Sequence, residues 1–231
     1  NVIRIKSEGY PEEILDLSDL SQQPSENFRA SALIRGIAAR FKDLGYNIGG
    51  FDAYTVSNVL KGSGMSSSAA FEVLIAEMLN ALYNDNRLDK TELAKSGQWA
   101  ENNYFKKPCG LMDQLACAVG GLISIAFLNP ETPVITPVNF DFSTTGYKLC
   151  IIDTGADHSD LTENYAAITT ELRKVSNYFG KEYLRDVSYT DFMNSIPALR
   201  KEAGDRAVLR AIHFYDENER VSAQIKSLES G

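Results

Sequence analysis

The sequence predicts a protein in two parts, the first built from strands and helices and the second from helices alone. Segments of alternating apolar residues and segments with apolar residues at helical spacing follow one another up to residue 153, and only helical spacing recurs after it. A glycine- and serine-rich loop at residues 61–69 separates a strand from a helix. We therefore predict a first domain over residues 1–153 and the helical beginning of a second over residues 154–231.

The composition excludes several classes of function. With 231 residues, 44% of them hydrophobic, the chain can bury the core of a sizeable domain. A formal charge of −8 argues against nucleic acid and anionic membranes as partners. No apolar run reaches the length of a membrane span, and no signal segment opens the sequence.

The cysteines and histidines indicate the cellular location and limit the kinds of site the protein can contain. Three cysteines without a C-x-x-C pair are typical of a reduced, intracellular protein, so we predict a cytoplasmic location. Two histidines leave little material for a histidine metal site or a Ser–His pair. The oligomeric state stays open.

Before the loop, the pattern predicts three strands and one helix. The first dozen residues read as a strand that reaches a turn at Gly9 and Pro11, and residues 12–26 as a loop with one short strand. Residues 27–44 have helical spacing and end at Gly45, which is a suitable helix stop. Residues 49–60 alternate as a strand.

After the loop, the order of predicted elements is helix, helix, short helix and strand. The first helix ends near residues 84–86, and the second runs over residues 91–104 with Thr91 as its N-cap. A short helix from Met112 to Val119 ends at Gly120, and residues 122–128 form a strand. Three prolines then indicate turns, and residues 148–153 form a further strand.

The second part reads as helices after a polar loop at residues 154–160. A long helix extends to Gly180, with a stripe that begins at Leu161 and Tyr165 and predicts a core-facing side. Further helices follow at residues 189–193, at 197–203 and from residue 205 onward.

The loop itself predicts an anion site. Gly62 and Gly64 allow a tight turn and a close approach of backbone, and the run from Ser66 to Ser68 leads into a helix whose first N–H groups lack partners. Phosphate is the natural ligand of such a site. The loop lacks the GK[ST] of a Walker A motif and the third glycine of a dinucleotide fingerprint. The alternative is a plain turn with a serine N-cap.

Two carboxylates stand out beyond the loop. Glu101 shares a helical stripe with Leu93 and Gly97, so it projects inward, where a carboxylate must be paired, hydrogen-bonded or bound to a cation. Asp113 lies in the first turn of the short helix. The alternatives are a helix-end glutamate that bonds a backbone N–H and an acid that caps a helix.

Together these features are typical of phosphoryl transfer. That chemistry needs N–H groups and a metal around the phosphates, oxygen ligands for the metal and a carboxylate near the attacking hydroxyl. One serine hydroxyl and one glutamate suffice for Mg²⁺, because this ion keeps several waters.

Four segments carry a resemblance to a known family. KGSGMSSSAAFEV resembles the nucleotide loop of the GHMP sugar kinases, in the triple-serine form of the galactokinases. AENNYFKKPCGLMDQLACAVGG resembles the galactokinase segment that contains the catalytic aspartate. DTGADHSDLTENYAAI resembles the loop and helix that place that family's sugar-contacting tyrosine. IHFYDENERVSAQIKSLESG is similar to the helix that precedes the family's C-terminal motif. The segments occur in family order over nearly the whole sequence.

The resemblance implies an α+β fold of the GHMP kinase type, a mixed sheet with helices followed by the helical part of a second domain. It implies that Asp113 accepts or orients the proton of the sugar C1 hydroxyl and that Gly110, Asp113 and Tyr165 bind the sugar. Ser68 and Glu101 would hold Mg²⁺, with Ser67 as the alternative serine. The ATP phosphates would lie over Gly62, Ser63, Gly64, Met65, Ser66, Ser67 and Ser68.

The function implied is ATP-dependent phosphorylation of galactose to galactose 1-phosphate. Another small-molecule kinase of the superfamily, such as an N-acetylgalactosamine kinase, and a catalytically silent sensor of galactose and ATP are the alternatives. The family's N-terminal Gly-Arg to Glu-His-Thr-Asp signature and its C-terminal Gly-rich motif are absent, and AAITTE stands where an arginine usually follows the tyrosine. We therefore expect an internal part of a longer kinase, inactive or nearly so by itself.

Overall fold

The structure is a computed structural model that describes residues 1–59, 64–152 and 162–230. The described residues form two compact units, residues 1–137 and residues 138–152 together with 162–230. The predicted domain boundary at 153/154, like the loop predicted at 154–160, lies outside the described residues. Each unit is described by itself below.

A mixed three-stranded sheet begins the first unit. Strands β1 (Val2–Ser7) and β2 (Glu12–Asp16) pair antiparallel, and β3 (Asp52–Thr55) pairs parallel with β1, which gives the order β2-β1-β3. Ile3 and Ile5 are buried on one face of β1, as the alternation of strand side chains requires. The three strands predicted before the Gly/Ser loop are present, but β3 is shorter than the predicted range of 49–60.

Three helices cover one core in this unit. They are α1 (Ala30–Asp43), α2 (Ser67–Tyr83) and α3 (Lys90–Ala100). Their apolar faces pack with the inward residues of the sheet, and burial of this surface is the main stabilising contribution. The largest fully buried side chains of this core are Ile3, Ile5, Leu15, Ile34, Ile37, Phe41, Ile75, Leu79 and Leu93.

The start and the end of α3 both differ from the sequence prediction. The N-cap is Asp89, whose carboxylate accepts a hydrogen bond from the N–H of Glu92, so Thr91 as the N-cap was wrong. An aspartate side chain caps as well as a threonine, and Asp89 stands two residues earlier. At its other end α3 passes into a π-helical turn (Glu101–Phe105) that stops at Lys106, whose φ is 68°.

The remainder of the first unit is a short helix and a two-stranded sheet. Helix α4 (Met112–Val119) has the predicted bounds. Strands β4 (Ile123–Ala126) and β5 (Val134–Pro137) pair antiparallel. The sequence prediction missed β5 because its prolines indicated turns. Pro137 is the last residue of the strand, a position where a missing N–H is tolerated.

In the second unit, the strand predicted at residues 148–153 is wrong for the described residues 148–152. Those residues have no regular structure, and Leu149 and Ile152 are about four-fifths exposed, with relative exposures of 79% and 82%. The apolar alternation favoured a strand, but a strand forms only where a neighbour accepts its backbone hydrogen bonds.

Three helices make up the rest of the second unit: α5 (Thr162–Tyr178), α6 (Tyr189–Glu202) and α7 (Asp205–Ser230). Helix α6 continues through Pro197, so the prediction of two separate helices there was wrong. A proline removes one backbone donor, yet packing of the apolar face around Phe192 and Leu199 maintains the helix.

The described residues therefore combine small sheets with seven α-helices, which confirms the predicted α+β class. None of the described helices combines the length and the apolar character that a membrane span requires.

Candidate active site

The N-terminus of α2 is an uncapped helix start reached through left-handed backbone. Gly64 has a φ of 74°, Ser66 has a φ of 56°, and the helix begins at Ser67. Ser66 occupies the N-cap position, but its side chain caps no backbone N–H and no acid lies in the first turn. The plain serine cap considered above is therefore not the role of Ser66, and the first turn retains its capacity to bind an anion. Gly62 and Ser63 lie outside the described residues.

Ser66 contacts Asp113 instead. Its Oγ donates a hydrogen bond of 2.6 Å to Oδ2 of Asp113, which lies exposed in the first turn of α4. Helix α4 has no side-chain cap hydrogen bond, and Asp113 lies in its first turn, where the helix dipole favours an acid. The hydrogen bond fixes one carboxylate oxygen, while the exposed side chain remains accessible to a ligand.

Two residues further along, Ser68 contacts Glu101. The Oγ of Ser68 lies 3.4 Å from Oε1 of Glu101, and Nζ of Lys107 lies 3.7 Å from the same oxygen. Glu101 is only 3% exposed, as its position on the inward stripe predicted. It bonds side chains rather than a backbone N–H at the helix end.

Glu101 forms a buried cluster with Glu72 and Gln114, which we call the carboxylate–amide cluster. Nε2 of Gln114 donates hydrogen bonds to Oε2 of Glu72 at 2.9 Å and to Oε2 of Glu101 at 3.0 Å. Burial, and after it the negative charge of Glu101, raises the pKa of Glu72 to about 8. Ionisation of Glu72 is thus disfavoured, because desolvation and a like charge both oppose it.

Side-chain amides fix the segment that joins Glu101 to Asp113. Nε2 of Gln98 and Nδ2 of Asn102 both donate to the carbonyl oxygen of Cys109, and the N–H of Cys109 donates to Oδ1 of Asn102. Burial raises the pKa of the Cys109 thiol, which favours its neutral form. Gly110 follows with an exposed backbone, and a Cβ added there would meet no atom within 4 Å.

Tyr165 belongs to the other unit, on helix α5. Its side chain is 57% exposed, so the expectation that its stripe faces a core was wrong at this position. The stripe becomes buried only further along, where Leu172 and Val175 pack with α6 and α7 residues. An exposed tyrosine is available to a ligand.

The sequence analysis missed Glu72, Gln114 and Lys107. Glu72 carried the same signal as Glu101, since it follows Ser68 by one helical turn and lies among the buried Ala69, Val73 and Ala76 of α2. Gln114 carried no such signal. A glutamine next to Asp113 can be identified as part of the site only after α2, α3 and α4 bring their side chains together.

The oxygens of Ser68 and Glu101 suit a hard cation such as Mg²⁺, which prefers oxygen ligands and few protein groups. Among the described residues, no three His, Cys, Asp or Glu side chains group closely enough to form a cage for a metal. The donor set therefore fits an ion that completes its shell with water and phosphate oxygens.

The fold and this arrangement are similar to those of a known family. Residues 32–121, which include most of α1, all of α2 and α3 and the site residues on α4, match the family described as GHMP kinases N terminal domain.

Several relatives with known names are galactokinases. The chain is 32% identical over 226 residues to a galactokinase of Clostridium tetani, a match that covers 96% of the chain and 56% of the relative. It is 31% identical over 230 residues to one of Streptomyces coelicolor, covering 100% of the chain and 59% of the relative. A Thermotoga petrophila galactokinase is 30% identical over 198 residues, covering 86% and 53%. The chain thus spans little more than half the length of these relatives.

These similarities confirm the family resemblance inferred from the loop and the CGLMDQ segment, and with it the α+β fold of the GHMP kinase type. They support a kinase-like phosphotransferase. The roles of individual site residues are not addressed by them and are taken up as proposals below.

Proposed function

We propose that the chain is part of an ATP-dependent sugar kinase that phosphorylates galactose at its C1 hydroxyl, which yields galactose 1-phosphate. One observation carries the proposal. Of the three serines at the start of α2, Ser66 bonds Asp113 and Ser68 contacts Glu101, and Ser66 caps no backbone N–H of the helix. A phosphate-binding helix start, a candidate base and a candidate metal ligand therefore belong to one cluster of side chains.

This geometry supports the following roles. The phosphates of ATP bind at Gly62–Ser68, because the N–H groups of a helix start attract anions. Asp113 accepts or orients the proton of the sugar hydroxyl as it attacks the γ-phosphorus. Its bond from Ser66 leaves an exposed carboxylate free for that contact. Gly110 offers open space in the segment that leads to Asp113, which supports its assignment to the sugar site. The assignment of Tyr165 to the sugar rests on the family resemblance.

Ser68 and Glu101 are the residues that would hold Mg²⁺. When bound, the ion neutralises charge on the phosphate oxygens, which is the main electrostatic demand of phosphoryl transfer. Lys107 already places a positive charge 3.7 Å from Glu101.

The substrates named here are those of the similar galactokinases. An N-acetylgalactosamine kinase and a sensor that binds galactose and ATP without turnover are the competing functions. A panel of sugars offered to the protein made from the complete gene separates the kinases, since the sugar with the highest kcat/KM identifies the substrate. A sensor would show ligand binding without ADP release.

The decisive variant is Asp113→Asn in the protein made from the complete gene. We expect kcat with galactose to fall by about 10² or more, because a positioned proton acceptor contributes about 10²–10⁴ to rate. The affinity for ATP should change little. ADP release in a coupled assay gives kcat, and calorimetry gives nucleotide affinity.

The matched control is Asp52→Asn, which alters an exposed carboxylate on β3 whose ion pair within the described residues is with Arg4. It should leave kcat unchanged. A kcat of Asp113→Asn within a few-fold of wild type would refute Asp113 as the base.

A further inference from the structure

Gln114 holds a central position among buried groups. Its side chain is 1% exposed, and its Nε2 donates to a carboxylate on α2 and to another at the end of α3. An amide nitrogen has two hydrogens, and Sγ of Cys109, a weaker acceptor, lies 3.6 Å from the same Nε2. The carboxylate of Glu101 favours this orientation of the amide, because the reversed group would present its oxygen to it.

The hydrogen bond from Gln114 gives the two carboxylate oxygens of Glu101 different partners. Oε2 accepts from Gln114, and Oε1 is left to face Ser68 and Lys107. The carboxylate group therefore cannot rotate freely between its partners. Because Gln114 holds Oε2, Oε1 is the oxygen directed at the N-terminus of α2.

Glu72 anchors the other hydrogen of the amide, and the backbone leaves room for it. A Cβ at Gly97 would lie 3.0 Å from Cβ of Glu72 and 3.2 Å from its Oε2. Any larger residue at this point of α3 would displace the carboxylate. The buried site is thus built around the Glu72 side chain, although Glu72 does not contact Ser68 in any described hydrogen bond.

We propose that Gln114 is a positioning residue for Glu101: its amide holds the glutamate against Glu72 so that Oε1 is presented to a divalent cation beside Ser68. The inference rests on the proposed function, because it requires that Glu101 be a metal ligand. Gln114 itself touches neither metal nor nucleotide. Groups that orient a metal ligand typically contribute 10–100-fold to metal affinity when they are removed.

The test measures nucleotide binding rather than turnover. In the protein made from the complete gene, calorimetry gives the affinity for a non-hydrolysable ATP analogue with Mn²⁺ and again with EDTA. The ratio of the two affinities is the metal-dependent gain. Gln114→Met keeps an unbranched side chain of similar size without a donor, and we expect it to lower the gain at least about tenfold. The affinity in EDTA should stay unchanged.

The matched control is Asn80→Ala. Asn80 is another buried amide of the same unit, but its partners are the backbone N–H and carbonyl of Leu88. We expect this variant to lose stability and to retain the full metal-dependent gain. A loss of the gain in both variants, or a fall of the EDTA affinity in Gln114→Met, would assign Gln114 a structural role only and overturn the inference.

A second pair of variants covers the case in which Gln114→Met does not fold. Gln114→Glu leaves three acids without an amide donor, whereas the double variant Glu72→Gln/Gln114→Glu returns one amide to the cluster. Restoration of the gain by the double variant, relative to Gln114→Glu, supports the inference, and equal losses overturn it. If the wild-type protein binds no analogue under either condition, the proposed function fails first and the inference fails with it.

Discussion

Ser66 combines a costly backbone conformation with a contact to a candidate catalytic group. A left-handed φ of 56° costs a non-glycine residue about 1–2 kcal/mol, and glycine would avoid this cost. The serine hydroxyl bonds Asp113, which a glycine could not do. Backbone strain of this kind is concentrated at functional sites, where the strained residue lowers stability but its side chain makes a contact that function requires.

Substitution of Ser66 separates these two effects. Ser66→Ala and Ser66→Gly both remove the bond to Asp113, so we expect both to lower kcat about tenfold, the value of one hydrogen bond to a charged group. Only the glycine removes the strain, so Ser66→Gly should be about 1 kcal/mol more stable than Ser66→Ala. Urea unfolding followed by Trp99, the one tryptophan, measures this difference within the first unit.

The kinetic half of this prediction uses the protein made from the complete gene. Equal kcat values for Ser66→Ala and wild type would show that the hydroxyl does not orient Asp113. Equal stability of the two variants would argue against strain at Ser66.

Glu72 makes stability depend on pH. Because burial and Glu101 raise the pKa of Glu72 from 4.5 to about 8, the folded chain binds a proton more tightly than the unfolded chain between these values. This contribution to stability is fully present below pH 4.5 and is lost as the pH rises to about 8. Glu72→Gln has no such group, so its stability relative to wild type should rise between pH 5 and pH 8 in EDTA.

Glu171→Gln is the control for this experiment. Its partner Arg206 lowers the pKa of Glu171, so that carboxylate stays ionised in both folded and unfolded chains throughout the same pH range. The difference between Glu171→Gln and wild type should therefore be constant from pH 5 to pH 8. A constant difference for Glu72→Gln as well would show that Glu72 is ionised in the folded chain.

At the scale of elements, the contact of α1 with α3 depends on a missing side chain. A Cβ at Gly36 would lie 2.8 Å from Cβ of Ala100 and 3.0 Å from Cγ of Tyr104. Helices that approach so closely tolerate no added methyl group without displacement.

Gly36→Ala should therefore destabilise the first unit by about 1–3 kcal/mol through overpacking, although alanine is the better helix former. Urea unfolding followed by Trp99 fluorescence gives the value. The double variant Gly36→Ala/Ala100→Gly relieves part of the clash, so its cost should be smaller than the sum of the two single costs. Additive costs, or a neutral Gly36→Ala, would contradict the close packing of these helices.

Elements with strong local signals could be predicted from the sequence, and those that depend on pairing could not. Helix α4 follows from its spacing and from Gly120, and its bounds are as predicted. Strand β5 forms because β4 supplies a partner, which no local pattern indicates. Residues 148–152 have the alternation of a strand without being one, and α6 passes through Pro197 because its buried face outweighs one lost hydrogen bond.

At the scale of the whole molecule, we propose that the chain contains only some of the groups that catalysis needs. The family resemblance implies that the Gly-Arg to Glu-His-Thr-Asp signature, which the sequence lacks, supplies an arginine that pairs with the catalytic aspartate. In the described residues, the partner of the Asp113 carboxylate is the hydroxyl of Ser66. A hydroxyl stabilises developing charge less than a guanidinium does.

We therefore expect the 231-residue polypeptide, purified by itself, to release ADP from ATP and galactose at least about a hundredfold more slowly than the protein made from the complete gene. Loss of one group that stabilises charge in the transition state usually lowers the rate by about this factor. Coupled ADP release at saturating substrates measures both rates. Comparable rates would show that the 231 residues already contain all the groups that catalysis needs.

The sequence by itself determined the family resemblance, the order of most elements and the positions of the Gly/Ser loop, Glu101 and Asp113, because helical spacing and short motifs are local. Tertiary structure alone decided which groups meet. It assigned Ser66 to Asp113 rather than to a helix cap, exposed Tyr165, and placed Gln114 between two buried acids. The reason is physical: spacing along a helix fixes the face on which a side chain lies, but its partner comes from another element, and only packing brings the two together.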